Sequence, residues 1–534
     1  LPVEWKYTPT AAKVMTITVT AVVEEGGIQY TYSKSVTLDV MDAAKLVYIG
    51  IDASHYNEYV AGNYKDSMGN FGALAAGYSV RTVELKTSAD LIAACENANG
   101  KYKAIILTAP SRRLADAQKD PRTYSQAELE ALADFNAAGG MVVLAGWSDN
   151  YENYDVIQSN KDIVHMAATQ NAVLEALGSS LRIGDDATYD DTFSKIDGVD
   201  PWRLYFNTYN WDSFLTQGIA YDEDNNYNNM YTQLYSHYGG ATVYAVDDSG
   251  APASVLPETV TPVVYGHAST YSKDVDGDGL GGSGIPKYPA AEGDNRLMVL
   301  ATEDLGGGKG LIVVSGAAFM SNFEVQADVD SGAEKNYSNY NICENLVSYL
   351  NPLTITDIAD VQAQTEEGIK YTVEGVVTSN ASGYDKDTAF FDCIYVQDDT
   401  AGINAFPVAG NYKKGDIVRI TGTTSSYQGE RQLNVGSIEK IGEGEVPAPK
   451  PITTQQASQA AELGSLVQIH GVVVSFAEAE GLIQTIMVRD DSGYDARVFI
   501  DGYITKDTPI DNLAVGHEIT VVGLSSYDSS FDGP

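Results

Sequence analysis

The sequence predicts a multidomain chain of α/β plus all-β class, with a parallel-sheet domain followed by β modules. Three observations predict it. Between Ala44 and Pro352, continuous apolar runs alternate with helix-patterned segments. From residue 353 helical periodicity gives way to a β pattern that occurs twice. At 534 residues the chain has length for about three to five domains.

Residues 1–43 carry the first element. "KVMTITVTAVV" and "YTYSKSVTLDV" alternate with period two around "EEGGIQ", a hairpin signal. They predict the tail of a partial immunoglobulin-like β-sandwich. The segment 44–352 then reads as strand and helix in turn. "KLVYIGID" is a strand buried on both faces, "NFGALAAG" a helix, and "YSVRTVEL" a strand. "SADLIAACENA" is a helix and "YKAIILTAP" a strand. "SQAELEALADFNAAGG" is a helix that Ser125 and Glu128 start with a capping box and Gly139 and Gly140 stop. "GGMVVLAG" is the next strand. Residues 150–290 read as an irregular insertion rich in Tyr, Asn and Asp. "NRLMVLATEDLGGGKGLIVVSGAAF" predicts a hairpin with a Gly-rich turn, and "NYNICENLVSYLNP" a closing helix ended by Pro352.

The two β units span 353–446 and 447–534. Each runs from a strand with an internal Gly, through a strand ending in Asp-Asp, to a strand leading into Ser-Ser-Tyr. "EGEVPAPKPITTQQAS" between them is a stiff linker. Strand number and Gly placement suit a small five-stranded barrel, the OB-fold.

Two resemblances extend this reading. Residues 45–352 resemble the class I glutamine amidotransferase-like α/β fold. They look closest to a non-catalytic branch found in secreted bacterial proteins and in an intraflagellar-transport subunit. The residues that carry it are "GGMVVLAG" after "AELEALADFNAAGG", and "GKGLIVVSGAAFMSNFEV" before the last helix. The resemblance implies a nucleophilic Cys at the elbow after "GGMVVLAG", with a downstream His and Glu. This chain has Ala145, Gly146, Trp147 and Ser148 there. Its three cysteines, Cys95, Cys343 and Cys393, fall in two helices and a β-unit strand, where they read as small packing residues. Ser148 is the elbow hydroxyl, with His165 and His267 as the candidate bases. The favoured expectation is a scaffold with no catalytic residues, in which Trp147 fills the space. The β units resemble OB-fold modules appended to large secreted bacterial nucleases and metallophosphoesterases, through "VEGVVTS", "YVQDDTAGI" and "GDIVRITGTTSSYQG". No "GDxH" or "GNH" string of the phosphoesterases occurs.

Two local patterns nominate sites. "DVDGDG" places Asp274, Asp276 and Asp278 at positions one, three and five of a calcium loop, with the Leu280 carbonyl at seven. Position twelve is Ile285, so this is not an EF-hand, and the expected ion is structural Ca²⁺. In the insertion, Trp202, Tyr205, Tyr209 and Trp211 form a candidate ligand platform for sugar rings; the alternative is that they pack the insertion.

Charge and composition narrow the partners. Asp and Glu outnumber Lys and Arg 73 to 33, a formal charge of −40, which repels phosphate backbones and anionic membranes. Nucleic acid is therefore a disfavoured partner, and no apolar run is long enough to insert in a bilayer. Abundant Tyr, Gly, Asn, Asp, Ser and Thr point to an extracellular or cell-surface location, and the two resemblances imply that the source is a bacterium. "LPVEWKYTPT" does not resemble a signal peptide, and the chain reads as a segment of something longer. The expected function is a calcium-stabilised, non-catalytic scaffold or adhesion segment whose partners are neighbouring domains. The alternatives are a carbohydrate-binding module acting through the Tyr/Trp-rich insertion, or an accessory region of a secreted nuclease or metallophosphoesterase.

Overall fold

The computed structural model describes residues 13–26, 28–41, 43–62, 64–110, 123–151, 165–193, 200–219, 233–275, 277, 279–290, 293–325, 337–379, 392–408, 412–479, 481–500 and 510–527. The chain is mixed α/β with strands predominating, and divides into two compact units. One is Ala43–Pro352; the other comprises Leu1–Asp42 and Leu353–Pro534.

The amino-terminal segment forms an antiparallel hairpin of β1 (Lys13–Glu25) and β2 (Ile28–Val40). The register puts Met15, Ile17, Ala21 and Val23 opposite Leu38, Val36, Tyr32 and Tyr30. Directly paired residues share a face, so one side of the ribbon is apolar apart from Lys34, which stands opposite Val19. The other is a hydroxyl ladder in which Thr18 and Thr20 bond Ser35 and Ser33 at 2.7 and 2.9 Å.

The Ala43–Pro352 unit is built on β3 (Val47–Asp52), α1 (Gly69–Gly77), β4 (Val80–Leu85), α2 (Ser88–Glu96), β5 (Tyr102–Thr108), α3 (Gln126–Ala137), β6 (Met141–Ala145) and α4 (Met166–Leu177). It is completed by β7 (Val260–Tyr265), β8 (Met298–Glu303), β9 (Ile312–Ser315) and α5 (Asn339–Leu350). Neighbouring strands run β7-β8-β9-β6-β5-β3-β4. From β4 to β9 every pairing is parallel, whereas β8 and β7 add antiparallel strands. Within 150–290, α4 and β7 thus belong to the central layers. Alternation sends Ile49 and Ile51 into one core with Phe71 of α1 and Ile342 of α5. Ile105, Leu107 and Leu144 enter the other core, with Leu91 of α2 and Leu132 of α3.

The chain order reverses at β3, with β4 on one side and β5 on the other, so the carboxyl ends of β3 and β5 form the switch-point crevice where open α/β sheets bind ligands. Both helices entering that crevice begin with full capping boxes, Thr87 with Asp90 and Ser125 with Glu128.

In the carboxy-terminal region, β10 (Lys370–Val377), β11 (Asp392–Gln397), β12 (Gly402–Val408), β13 (Asp416–Tyr427) and β14 (Glu430–Glu443) close a five-stranded barrel. Ile394, Val396, Ile403, Ala405 and Leu433 fill it. The second β unit contains β15 (Leu466–Ala479), β16 (Leu482–Arg489), β17 (Asp495–Phe499) and β18 (Glu518–Leu524). Together with the short strand Lys450–Pro451 they form a five-stranded sheet that is not closed among the described residues. Residues 528–534, which follow the Ser-Ser-Tyr corner, lie outside those residues.

Candidate functional site at the carboxyl ends of the parallel strands

The turn after β6 carries Ser148, the candidate elbow hydroxyl. Gly146 is required there: an added Cβ would lie 2.8 Å from Ile183 Cγ2 and 3.3 Å from the carbonyls of Ser315 and Gly316. The next residue, Trp147, is buried and stacks on Tyr151, with centroids 3.9 Å apart and planes 13° apart. Tyr59 and Tyr64 meet the indole edge-on at 5.9 and 5.8 Å. The indole thus fills the volume at the head of the strand. Ser148 is fully buried, its amide bonds the Gly239 carbonyl at 3.0 Å, and its Oγ makes no hydrogen bond among the described residues.

Neither candidate base is bonded to Ser148. His165 precedes α4 and lies 3.5 Å from Asp185 Oδ2. His267 bonds the Tyr205 carbonyl through Nε2 at 2.9 Å, and burial pushes its pKa down to about 4. Nor is there a reactive thiol in either helix. Cys95 of α2 is buried, which pushes its pKa up to about 12, and burial raises that of Cys343 in α5 well above the usual thiol range.

A second cluster, which sequence reasoning missed, sits where β3 opens into the crevice. Asp52 ends the strand on the α2/α3 side. Its Oδ1 accepts from Ser54 Oγ at 2.6 Å, and its Oδ2 lies 2.9 Å from His55 Nδ1 and accepts from the Tyr124 hydroxyl at 2.9 Å. The opposite imidazole nitrogen, Nε2, faces Glu128 Oε1 at 3.6 Å, and the Tyr124 ring covers the imidazole at 4.1 Å between centroids. Asn57 and Thr108 tie this loop to the end of β5 through bonds of 2.9 and 2.7 Å. Ser54, His55, Ser88, Thr123, Ser125 and Glu128 line a cavity of about 190 Å³.

Electrostatics fix the state of this cluster. Burial pulls the His55 pKa down, but hydrogen bonds and charge attraction from Asp52 and Glu128 outweigh it and raise the pKa to about 9. For Glu128, burial pulls upward, and the bonds from His55, Ser125 and Ser88 overcome it to leave a pKa of about 2. His55 is therefore an imidazolium at neutral pH. In a serine hydrolase the nucleophile and the orienting carboxylate occupy opposite ring nitrogens. Here Ser54 and Asp52 crowd the same nitrogen, and the other one faces Glu128. Hydroxyl, imidazole and carboxylate meet, but in an arrangement that holds a proton instead of taking one. The residues that reveal this, Asp52, His55 and Glu128, are far apart or unpatterned in sequence; the one local signal was the Ser125–Glu128 capping box, which accounts for Glu128 without His55.

Of the four aromatics nominated from sequence, Tyr209 and Trp211 touch each other, while Trp202 and Tyr205 have other ring partners. Tyr209 is buried and its hydroxyl bonds the Gln233 carbonyl and Ser338 Oγ, both at 2.9 Å. Trp211 is 42% exposed and leans on Tyr209 at 5.1 Å, Tyr205 stacks on Tyr337 at 5.5 Å, and Trp202 lies 5.9 Å from Tyr189. In the acidic loop, Asp274 accepts from the amides of Gly277 and Gly279 at 2.7 and 3.0 Å, and Leu280 is exposed. Asp276 and Asp278 lie outside the described residues, and no group of three or more metal-ligating side chains occurs among the described ones.

No family model matches the chain, and no curated protein matches it. Among solved structures it is similar to the mmIFT52 N-terminal domain, at 12% identity and a TM-score of 0.36, over 58% of this chain and 99% of that one. It is similar also to the Cytoplasmic Protein STM3548 from Salmonella typhimurium, at 8% identity and a TM-score of 0.22, over 62% of this chain and 95% of that one. At these scores the likenesses carry no argument about function.

Proposed function

We propose that this chain is a non-catalytic scaffold or adhesion segment of a large extracellular bacterial protein. Its Ala43–Pro352 unit is read as an amidotransferase-like layer retained for its architecture. The observation that carries this reading is the placing of His55 between two carboxylates, 2.9 Å from Asp52 and 3.6 Å from Glu128, with the Ser54 hydroxyl on the same ring nitrogen as Asp52. The buried Trp147 at the neighbouring strand end supports it, because the indole and its ring partners Tyr59, Tyr64 and Tyr151 fill the space beside the elbow. The hairpin's apolar face is what one sheet of an immunoglobulin-like sandwich presents to another, and the strand order of the closed barrel suits an OB-like module. Calcium held by the Asp274 loop is part of the proposal.

The test is to assay the purified chain for glutaminase, amidase and esterase turnover beside Ser54→Ala and Ser148→Ala. The expected result is no turnover above the buffer rate in any of the three. A turnover that disappears with either substitution contradicts the reading.

A further inference from the structure

The two β units of the carboxy-terminal region meet through their backbones. Gly402, at the start of β12, and Gly464, just before β15, lie very close together. A Cβ added to either would overlap the carbonyl oxygen of the other. Gly402 lies outside the left-handed region, so this close approach alone demands that it lack a side chain. Hydrogen bonds surround the contact. The Gly402 amide donates to Ser465 Oγ at 3.0 Å, and the Leu466 amide to Gln397 Oε1 at 2.9 Å. Gln362, on the short helix Ile358–Ala363, donates to the Gly402 carbonyl at 2.7 Å and to the Leu463 carbonyl at 3.1 Å. One side-chain amide thus ties both units. Ser526 Oγ of the second unit donates to Glu430 Oε2 of the first at 2.6 Å, and a Cβ on Gly429 would meet the Tyr527 ring at 2.5 Å.

The internal repeat shows what this contact adds. Gly368 of the first unit and Gly464 of the second share a φ of 81°, and each donates its amide at 2.7 Å, to the carbonyls of Thr424 and Ser525. Thr424 and Ser525 return amide bonds to Ile369 and Ser465 at 2.9 and 3.0 Å. The fold therefore makes the same edge in both units. Gly368, Ile369 and Lys370 stay half-buried, whereas Gly464, Ser465 and Leu466 are buried. The receiving position is not repeated. After the Asp-Asp turn the first unit has Gly402, while the second has Tyr494 and Asp495, whose carboxylate Arg489 holds at 2.5 and 2.8 Å. The first unit thus receives and the second is received. Their cores differ in the same sense. Every residue of the first core is at most 2% exposed, whereas Ile452 and Val467 of the second are 8% exposed. A small sheet with so partly covered a core depends on a rigid neighbour.

We propose that the two β units form one rigid body that opens in a single step, with the second unit stable only when seated on the first. Two backbones in van der Waals contact cannot slide past each other without losing their packing. Parting them would also strand the buried amides of Gly402 and Leu466 without their side-chain acceptors, a cost paid all at once. The linker "EGEVPAPKPITTQQAS" then spans a fixed interface instead of acting as a hinge. Whatever adjoins the pair is held at a set distance and angle. This goes beyond the scaffold reading and is independent of it, since catalytic turnover would leave the coupling of the β units untouched.

The experiment is amide hydrogen exchange of the whole chain in rising urea, read by mass spectrometry for peptides from β13 in the first unit and β15 in the second. The account expects both strands to lose protection together, along one line, in the wild type. Gly402→Ala drives a methyl group into the Gly464 carbonyl and should cost β15 at least about tenfold in protection. Gln362→Ala removes the shared amide and should lower β15 protection by a smaller factor. If Gly402→Ala unfolds the first unit as well, β15 must lose its protection with it. A wild-type β15 that opens at lower urea than β13, or a β15 that keeps full protection in Gly402→Ala, overturns the proposal.

Discussion

At the scale of the residue, the His55 imidazolium sets the pH behaviour of the α/β unit. Its folded pKa of about 9 exceeds the ordinary 6.5, so the stability it contributes is complete below pH 6.5 and is lost as pH rises towards 9. Glu128 works in the opposite sense. Its folded pKa of about 2 lies below the ordinary 4.5, so its contribution is complete above pH 4.5 and is lost as pH falls towards 2. The clamp thus stabilises most between pH 4.5 and 6.5. We expect the melting temperature to fall between pH 6.5 and 9, and to fall less steeply in His55→Gln. A second buried acid acts in the same range. Burial raises the Glu324 pKa to about 8, so its ionisation destabilises the fold progressively as pH rises from 4.5 to 8. Glu324→Gln should therefore gain melting temperature at pH 8 relative to wild type and gain little at pH 5. Equal differences at the two pH values would contradict this.

At the scale of the element, the helix caps connect local sequence to the crevice. Ser125→Ala removes one half of the α3 capping box and should cost about 1 kcal/mol in denaturant unfolding. Glu128→Ala removes the other half and also strands the His55 charge, so it should cost distinctly more. A result in which the two substitutions cost the same would mean that the ion pair contributes nothing. The end of β9 offers a steric counterpart. A Cβ on Gly316 would fall 1.8 Å from the Ala241 carbonyl oxygen, so Gly316→Ala should cost at least about 2 kcal/mol. Much of this architecture was legible in sequence. The Ser125–Glu128 box, the period-two hairpin and the Gly-rich turn between β8 and β9 are each written in a few consecutive residues. The β3-loop cluster was not, because Asp52, His55, Tyr124 and Glu128 meet only once β3, β5 and α3 are laid side by side. The insertion aromatics are a mixed case: Tyr209 and Trp211 meet as sequence neighbours, whereas Tyr205 and Trp202 take their ring partners, Tyr337 and Tyr189, from elsewhere in the unit.

At the scale of the whole molecule, two compact units predict more than one unfolding transition in calorimetry of the full chain. No helix among the described residues is long and apolar enough to cross a membrane. The net charge of −40 makes a bound divalent cation electrostatically welcome, and Ca²⁺ should raise the melting temperature relative to chelator, with the increment lost in Asp276→Ala. Coincident curves with and without Ca²⁺ would remove the ion from the account. The central claim is that the crevice of the α/β unit holds a proton instead of moving one. Its most direct test is an NMR titration of the His55 ring in the intact chain. The account predicts an imidazolium that persists through neutrality and titrates at about 9. A ring that loses its proton at or below the ordinary 6.5 would contradict it and return His55 to the list of candidate bases.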